Sequence, residues 1–237
     1  MSDKESDQKH WADVAEEWIT WARAPGHDAF WNYAQAFGTF MGKGSGEALD
    51  VGCGEGRVSR LLKELGYRVT AADPVARFIE AAREMNSADR YAVASAAALP
   101  FDDQSFDLTI AYNMLMDVED VPAAAREIRR VLKPSGTLIV SIVHPFADRG
   151  HFSGPGPDAP FIVPGSYFGR QRFEGVEEKN GLKMHFAGWS QPLETYMAAL
   201  AGEGLAVTEI KEPVPEGPSS WHRIPLFLWL KARPFPA

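Results

Sequence analysis

The chain has 237 residues, 45% of them hydrophobic and 24% charged, with a formal net charge of −8. This length suits a single domain able to bury its own core. The acidity argues against a general binder of nucleic-acid backbone, which carries a basic face.

In chain order, Met1 to Gln8 is polar and lacks the apolar stretch of a signal peptide. Trp11, Val14, Ala15, Trp18 and Ala22 then recur at helical spacing, up to a break at Pro25-Gly26. Asp28 is placed to cap a second helix carrying Phe30, Tyr33, Ala34, Phe37 and Met41 on one face. This aromatic N-terminal segment, residues 1–46, serves either as core or as a helical lid. From Glu47 strands and helices alternate. Ala48 to Val51, Tyr67 to Ala72, Tyr91 to Ala94, Phe106 to Tyr112 and Thr137 to Val143 read as strands. Between them lie helical stripes at Val58/Leu61/Leu62/Leu65, Val75/Phe78/Ile79/Ala82 and Val121/Ala125/Ile128/Leu132, the last stopped by Pro134-Ser135-Gly136. Such a rhythm implies a parallel sheet with helices on both faces.

Residues 144–190 break the rhythm. A stretch rich in proline and glycine is followed by two β-type runs, Phe173 to Lys179 and Leu182 to Ala187, around the turn pair Asn180-Gly181. This block is expected as an insertion over the active-site edge. Residues 191–237 follow as a helix bearing Leu193, Tyr196, Met197 and Leu200, then two strands, Leu205 to Ile210 and Ile224 to Leu230. The Glu212–Ser220 loop between these strands has no room for a crossover helix, so they should pair antiparallel. The fold class is therefore α/β, a Rossmann-like sheet of seven mostly parallel strands with an antiparallel last strand, in one domain over 1–237.

The chemistry concentrates at a strand-to-helix turn, Leu49-Asp50-Val51-Gly52-Cys53-Gly54-Glu55-Gly56. Glycines there permit positive φ and close approach of backbone to a ligand, and the next helix presents unpaired N–H groups. Asp73 ends the second strand 21 residues after Gly52, where a carboxylate can accept hydrogen bonds from both hydroxyls of a ribose. A dinucleotide loop would place its third glycine at position 57, which is Arg57 here; the third glycine is Gly56. Cys53, the only cysteine, excludes an internal disulfide and agrees with a reducing cytoplasm. It suits a small packing residue in the loop better than a nucleophile.

These motifs, together with Val69-Thr70-Ala71-Ala72-Asp73, Ala98 to Asp107 and Ile128 to Leu138, resemble the class I S-adenosylmethionine-dependent methyltransferases over residues 47–143. The nearest likeness is to the core shared by ubiquinone/menaquinone-type enzymes of the small-molecule subgroup. The resemblance implies S-adenosyl-L-methionine as cofactor. It implies that Asp50, Gly52, Cys53 and Gly54 hold the methionine end, that Asp73 and Pro74 meet the ribose, and that Ser95 and Ala96 flank the adenine. The family often has aspartate where this chain has Ser95. Asn113 would lie beside the methionine moiety or the reacting methyl, or else serve as a strand-end turn residue. Arg23, between the two N-terminal helices, could pair with the cofactor carboxylate.

For catalysis, His144 ends the buried fifth strand on the edge where such sheets bind ligands, and could take or orient an acceptor proton; alternatively it bonds only to backbone. Asp117, Glu119 and Asp120 read as a solvated loop and helix start. None of the six histidines has a zinc-site spacing, so no metal is expected. The expected function is methyl transfer to an oxygen or nitrogen of a small organic molecule, by a cytoplasmic monomer or homodimer without nucleic-acid or membrane partners. RNA or protein methylation, or cofactor binding without catalysis, are the alternatives.

Overall fold

The aromatic N-terminal segment forms two helices, not one: α1 (Lys4–Asp13) and α2 (Ala15–Arg23). They separate at the buried, β-branched Val14, whose φ of −101° and ψ of 13° depart from helical values. This break lets both helices lean on the same later strand. Asp28 caps as expected, its Oδ1 accepting from Phe30 N at 2.8 Å. The turn it caps is a short 3-10 segment, Ala29–Asn32, followed after Tyr33 by α3 (Ala34–Met41). These coordinates are a computed structural model describing residues 4–156 and 158–235. Met1, Ser2 and Asp3 of the polar start, Pro157 of the proline-rich stretch, and the last two residues, Pro236 and Ala237, lie outside the described residues.

The alternating region follows as β1 (Glu47–Val51), α4 (Arg57–Glu64), β2 (Arg68–Asp73), α5 (Ala76–Glu84), β3 (Arg90–Val93), β4 (Phe106–Tyr112), α6 (Val121–Val131) and β5 (Leu132–Val143). Leu132 was expected to close the helix, but it opens the strand and pairs with Phe106. Pro134 has no N–H to donate to Arg130 O and biases Lys133 toward the extended region, so the helix stops ahead of it; Leu132 sits at φ −79°, ψ 131°.

The insertion contains a small antiparallel pair, β6 (His151–Phe152) with β7 (Phe161–Ile162), and the expected hairpin, β8 (Gln171–Lys179) with β9 (Leu182–Ser190). Its turn has φ of 49° at Asn180 and 81° at Gly181, the two successive positive values that select Asn-Gly. The chain ends with α7 (Leu193–Gly202), β10 (Leu205–Lys211) and β11 (Phe227–Pro234). The last strand begins three residues later than the sequence suggested, past Pro225, which has no N–H for a ladder.

The sheet order is β10-β11-β5-β4-β1-β2-β3, with β11 antiparallel to both neighbours and the other paired strands parallel. One face is covered by α6 and α7, the other by α3, α4 and α5. Phe37 (0% exposed) packs edge-on against Tyr112 at 4.8 Å and Trp229 at 4.9 Å between ring centroids. Residues 29–41 are thus part of the core. The sheet order reverses between β1 and β4, which opens a crevice at their carboxyl ends.

Candidate functional site

A cavity of about 880 Å³ occupies that crevice. Its floor is the glycine turn after β1. Gly52, Gly54 and Gly56 have φ of 67°, 54° and 91°. A Cβ on Gly52 would sit 2.7 Å from Met114 Cβ, and one on Gly56 2.5 Å from Ser87 Cβ, so no side chain fits at either place. Most of the loop's own N–H groups are spent on fixing its shape. Gly52 N and Cys53 N donate to Ala72 O at 2.8 and 3.1 Å, and Gly54 N donates to Asp73 Oδ2 at 3.0 Å.

Asp73 lies at the end of β2, 6% exposed, and its Oδ1 accepts from Val75 N at 2.9 Å. Asp73 lines the cavity, and each of its carboxylate oxygens can accept a further hydrogen bond. Asp50, 1% exposed at the end of β1, accepts from Ser59 Oγ at 2.6 Å. Burial pushes the Asp50 carboxyl up to about 7, with the charge of Asp73 adding to it, and burial pushes Asp73 up to about 6. Both folded-state values exceed the ordinary carboxylate value, so between about pH 4 and 7 the folded protein binds these protons more tightly than the unfolded chain. Their contribution therefore favours folding below that window and is lost as the pH rises through it. Asp50→Asn keeps the acceptor for Ser59 without the buried charge. It should be more thermostable than the ligand-free parent at pH 8, with the advantage shrinking toward pH 5. A gap that is constant across melts at the two pH values would contradict the assignment.

Pro74, Ser95, Ala96 and Asn113 also line the cavity, with Cys53 and Gly54. Cys53 is buried, and desolvation pushes its thiol well up, which suits packing. Asn113 is a turn residue, with φ of 48°, and its Oδ1 accepts from Ser141 Oγ at 2.7 Å. Arg23 is placed elsewhere. Its Nη2 donates to Ala81 O at 2.9 Å, its Nε to Glu55 at 3.4 Å, and it does not line the cavity. The backbone carbonyl and the buried Glu55 capture the cation that the sequence offered to the cofactor carboxylate. Asp117, read from sequence as solvated, does line the cavity, and burial drives its carboxyl well above the usual range. Its neighbours Trp11 and Gly188 come from distant segments, so local pattern could not flag it.

Residues 49–140 match the family model described as a methyltransferase domain. Residues 49–140 thus form a methyltransferase domain of the class I S-adenosylmethionine-dependent kind. Among curated relatives it is 34% identical to the malonyl-acyl-carrier-protein O-methyltransferase of Serratia marcescens over 40% of this chain and 37% of that one. It is 38% identical to the 2-methyl-6-phytyl-1,4-hydroquinone methyltransferase of a Synechocystis strain over 39% of this chain and 30% of that one. The chain thus matches only about a third of the length of either relative. A solved structure described as a putative S-adenosylmethionine dependent methyltransferase from Listeria monocytogenes superposes with a TM-score of 0.67 at 19% identity, over 86% of this chain and 98% of that one. Among the described residues, no helix is long and apolar enough to cross a membrane and no metal-binding group is found.

His144, expected from the sequence as the catalytic group, is not among the residues that line the cavity. Both ring nitrogens of His144 are engaged. Nδ1 accepts from Phe146 N at 3.1 Å, so the proton sits on Nε2 and is directed at Glu212 Oε1, 3.1 Å away. Burial also lowers its pKa. His144→Ala should keep its turnover within about twofold while losing roughly 1 kcal/mol of stability, a fall of about 2–4 °C in Tm. Steady-state rates and a melt check this; a loss in kcat of about 100-fold would restore the base.

Proposed function

We propose that the chain transfers the methyl group of S-adenosylmethionine to an oxygen or nitrogen atom of a small organic molecule. The observation that carries the proposal is the cavity itself: Asp50, Asp73 and the glycine loop at its floor, under a largely aromatic wall that includes Trp11, Trp18, Phe173 and Phe186. The size and mixed polarity are those of a small-molecule site.

The cofactor supplies a methyl group on a positively charged sulfur with a good leaving group. The task left to the protein is positioning, which is worth about 7–11 kcal/mol when the reacting atoms are well aligned. Asp73 holds the ribose end, and Ser95 and Ala96 bound the adenine. Asp50 stiffens the loop through Ser59 beneath the methionine end. In the proposed organisation α1, α2 and the β8–β9 hairpin act as the cover that excludes water. α2 packs directly on β9, and Trp18 meets Phe186 edge-on at 6.3 Å.

The test has two readouts. Calorimetry should show binding of S-adenosylmethionine and S-adenosylhomocysteine and none of NAD. Methyl label should then pass to members of a panel of small hydroxy and amino compounds and not to RNA or protein fractions. Label in the macromolecules alone would overturn the acceptor class; binding without transfer to any acceptor would leave a binding protein.

A further inference from the structure

Asp117 closes a 3-10 turn, Leu115–Asp117, in which Leu115 and Met116 are buried and Asp117 N donates to Met114 O at 3.0 Å. Glycine at position 188 of β9 makes room for its carboxylate. A Cβ there would meet Asp117 Oδ1 at 2.7 Å and Phe173 Cε1 at 2.9 Å. Trp11 hydrogen-bonds the same carboxylate. Asp117, Phe173 and Trp11 all line the cavity, so one acid and two aromatic rings are neighbours on its wall.

Other acids of the lining are compensated within the protein. Asp28 pairs with Arg57 and Glu55 with Arg60, each at 2.8 Å. Asp50 accepts from Ser59 Oγ, and Asp73 from two backbone N–H groups. Asp7, 5% exposed, accepts from Arg172 and, at 2.8 Å, from Trp189 Nε1. The guanidinium that attracts Asp117 is thereby bonded to a different carboxylate. Among the described residues no cation pairs with Asp117 itself. Burial drives its carboxyl well above the usual range, and the charge of Asp7 adds to this. Two more lining acids, Glu119 and Glu177, have no ion pair either, whereas the cations of the lining are Arg57, already paired, and Lys179.

A desolvated carboxylate without a counter-charge is costly, and a ligand cation offsets that cost. An ammonium group also gains from the electron-rich faces of aromatic rings. We infer that Asp117, Trp11 and Phe173 form a cation-binding subsite for the methyl acceptor, which is an amine whose ammonium pairs with Asp117. The carboxylate then takes one proton from that ammonium, exchanging an N–H bond for an O–H bond. This frees the nitrogen lone pair for the methyl group, and the proton passes on to solvent. The inference rests on the methyltransferase reading and narrows its acceptor atom from oxygen or nitrogen to nitrogen.

The experiment titrates the full chain, saturated with S-adenosylhomocysteine, with 2-phenylethylamine and with 2-phenylethanol, which differ only in ammonium against hydroxyl. The parent should bind the amine at least about tenfold more tightly, the scale of a charge-assisted pair. Asp117→Asn keeps the shape of the side chain and should bring the two affinities within about threefold of each other. Its affinity for S-adenosylhomocysteine should stay within about twofold, and its ligand-free melting temperature should be unchanged or higher, because a buried charge is removed. Phe173→Leu, at a side chain on the rim of burial, should cut the preference by about two- to fivefold and provides a second reading. Equal binding of amine and alcohol by the parent, binding of neither, or a preference that persists in Asp117→Asn would each overturn the subsite. Loss of S-adenosylhomocysteine binding in a folded Asp117→Asn protein would place Asp117 on the cofactor, which also overturns the subsite and leaves the methyltransferase reading intact. A parent that does not bind S-adenosylhomocysteine defeats both.

Discussion

Asp73→Ala should weaken S-adenosylmethionine binding by one to two orders of magnitude, about 10–100-fold, in a chain that remains folded. A carboxylate that accepts two ribose hydroxyls makes two charge-assisted hydrogen bonds, each worth about 1.5–3 kcal/mol. The same side chain pins Gly54 N and Val75 N, so its loss also loosens the loop that forms the floor of the cavity. Two effects oppose one another in the ligand-free protein. The buried charge disappears, which is favourable, and two backbone donors lose their acceptor, which is not. A near-unchanged melting temperature with greatly reduced affinity is therefore the expected signature. Asp73→Asn, which preserves one acceptor oxygen, should fall between. Unchanged calorimetric affinity in a folded Asp73→Ala protein would remove Asp73 from the ribose site.

Phe37→Ala should destabilise the protein by about 3–5 kcal/mol, as large aromatic truncations in a packed core do. For a chain of this size that corresponds to a fall of roughly 6–20 °C in Tm. Phe37 has no exposed surface and is wedged between Tyr112 of β4 and Trp229 of β11, so the hole cannot be filled from solvent-facing neighbours. Phe40 and Tyr33 extend the same aromatic layer, at 5.6 Å from Trp229 and 4.9 Å from Phe227 between ring centroids. Deleting residues 1–41 should accordingly yield insoluble or unfolded protein. A soluble deletion variant with a cooperative melt, lacking only cofactor binding, would show that residues 29–41 serve as a lid and not as core.

The sequence by itself determined the layered α/β class, the strand-to-helix turn at Gly52–Gly56, Asp73 at the end of β2, and the Asn180-Gly181 hairpin. Each depends on local rules: period-2 and period-3.6 burial, glycine at positive φ, and the strand length between two turns. It also pointed to antiparallel pairing of β10 and β11, since the fifteen residues between them carry no pattern of a crossover helix. Element ends were less legible. Leu132 continues an apolar helical stripe, but Pro134 two residues later acts on backbone conformation and not on hydrophobicity, so the stripe overran the helix.

The site residues divide the same way. Asp50 and Asp73 were readable because they sit at fixed positions on consecutive parallel strands. Arg23, His144 and Asp117 depended on who reaches them first in three dimensions. Ala81 and Glu55 bind Arg23, Phe146 and Glu212 occupy His144, and Trp11 hydrogen-bonds Asp117. For Arg57 the sequence showed only what was missing, a glycine; the tertiary structure placed its guanidinium among Trp18, Phe30 and Tyr112. Charged side chains are long, and their partners come from segments far apart in the chain. Their final position is decided by competition among hydrogen-bond acceptors that only folding brings together, whereas strands and glycine turns are decided by the residues next to them.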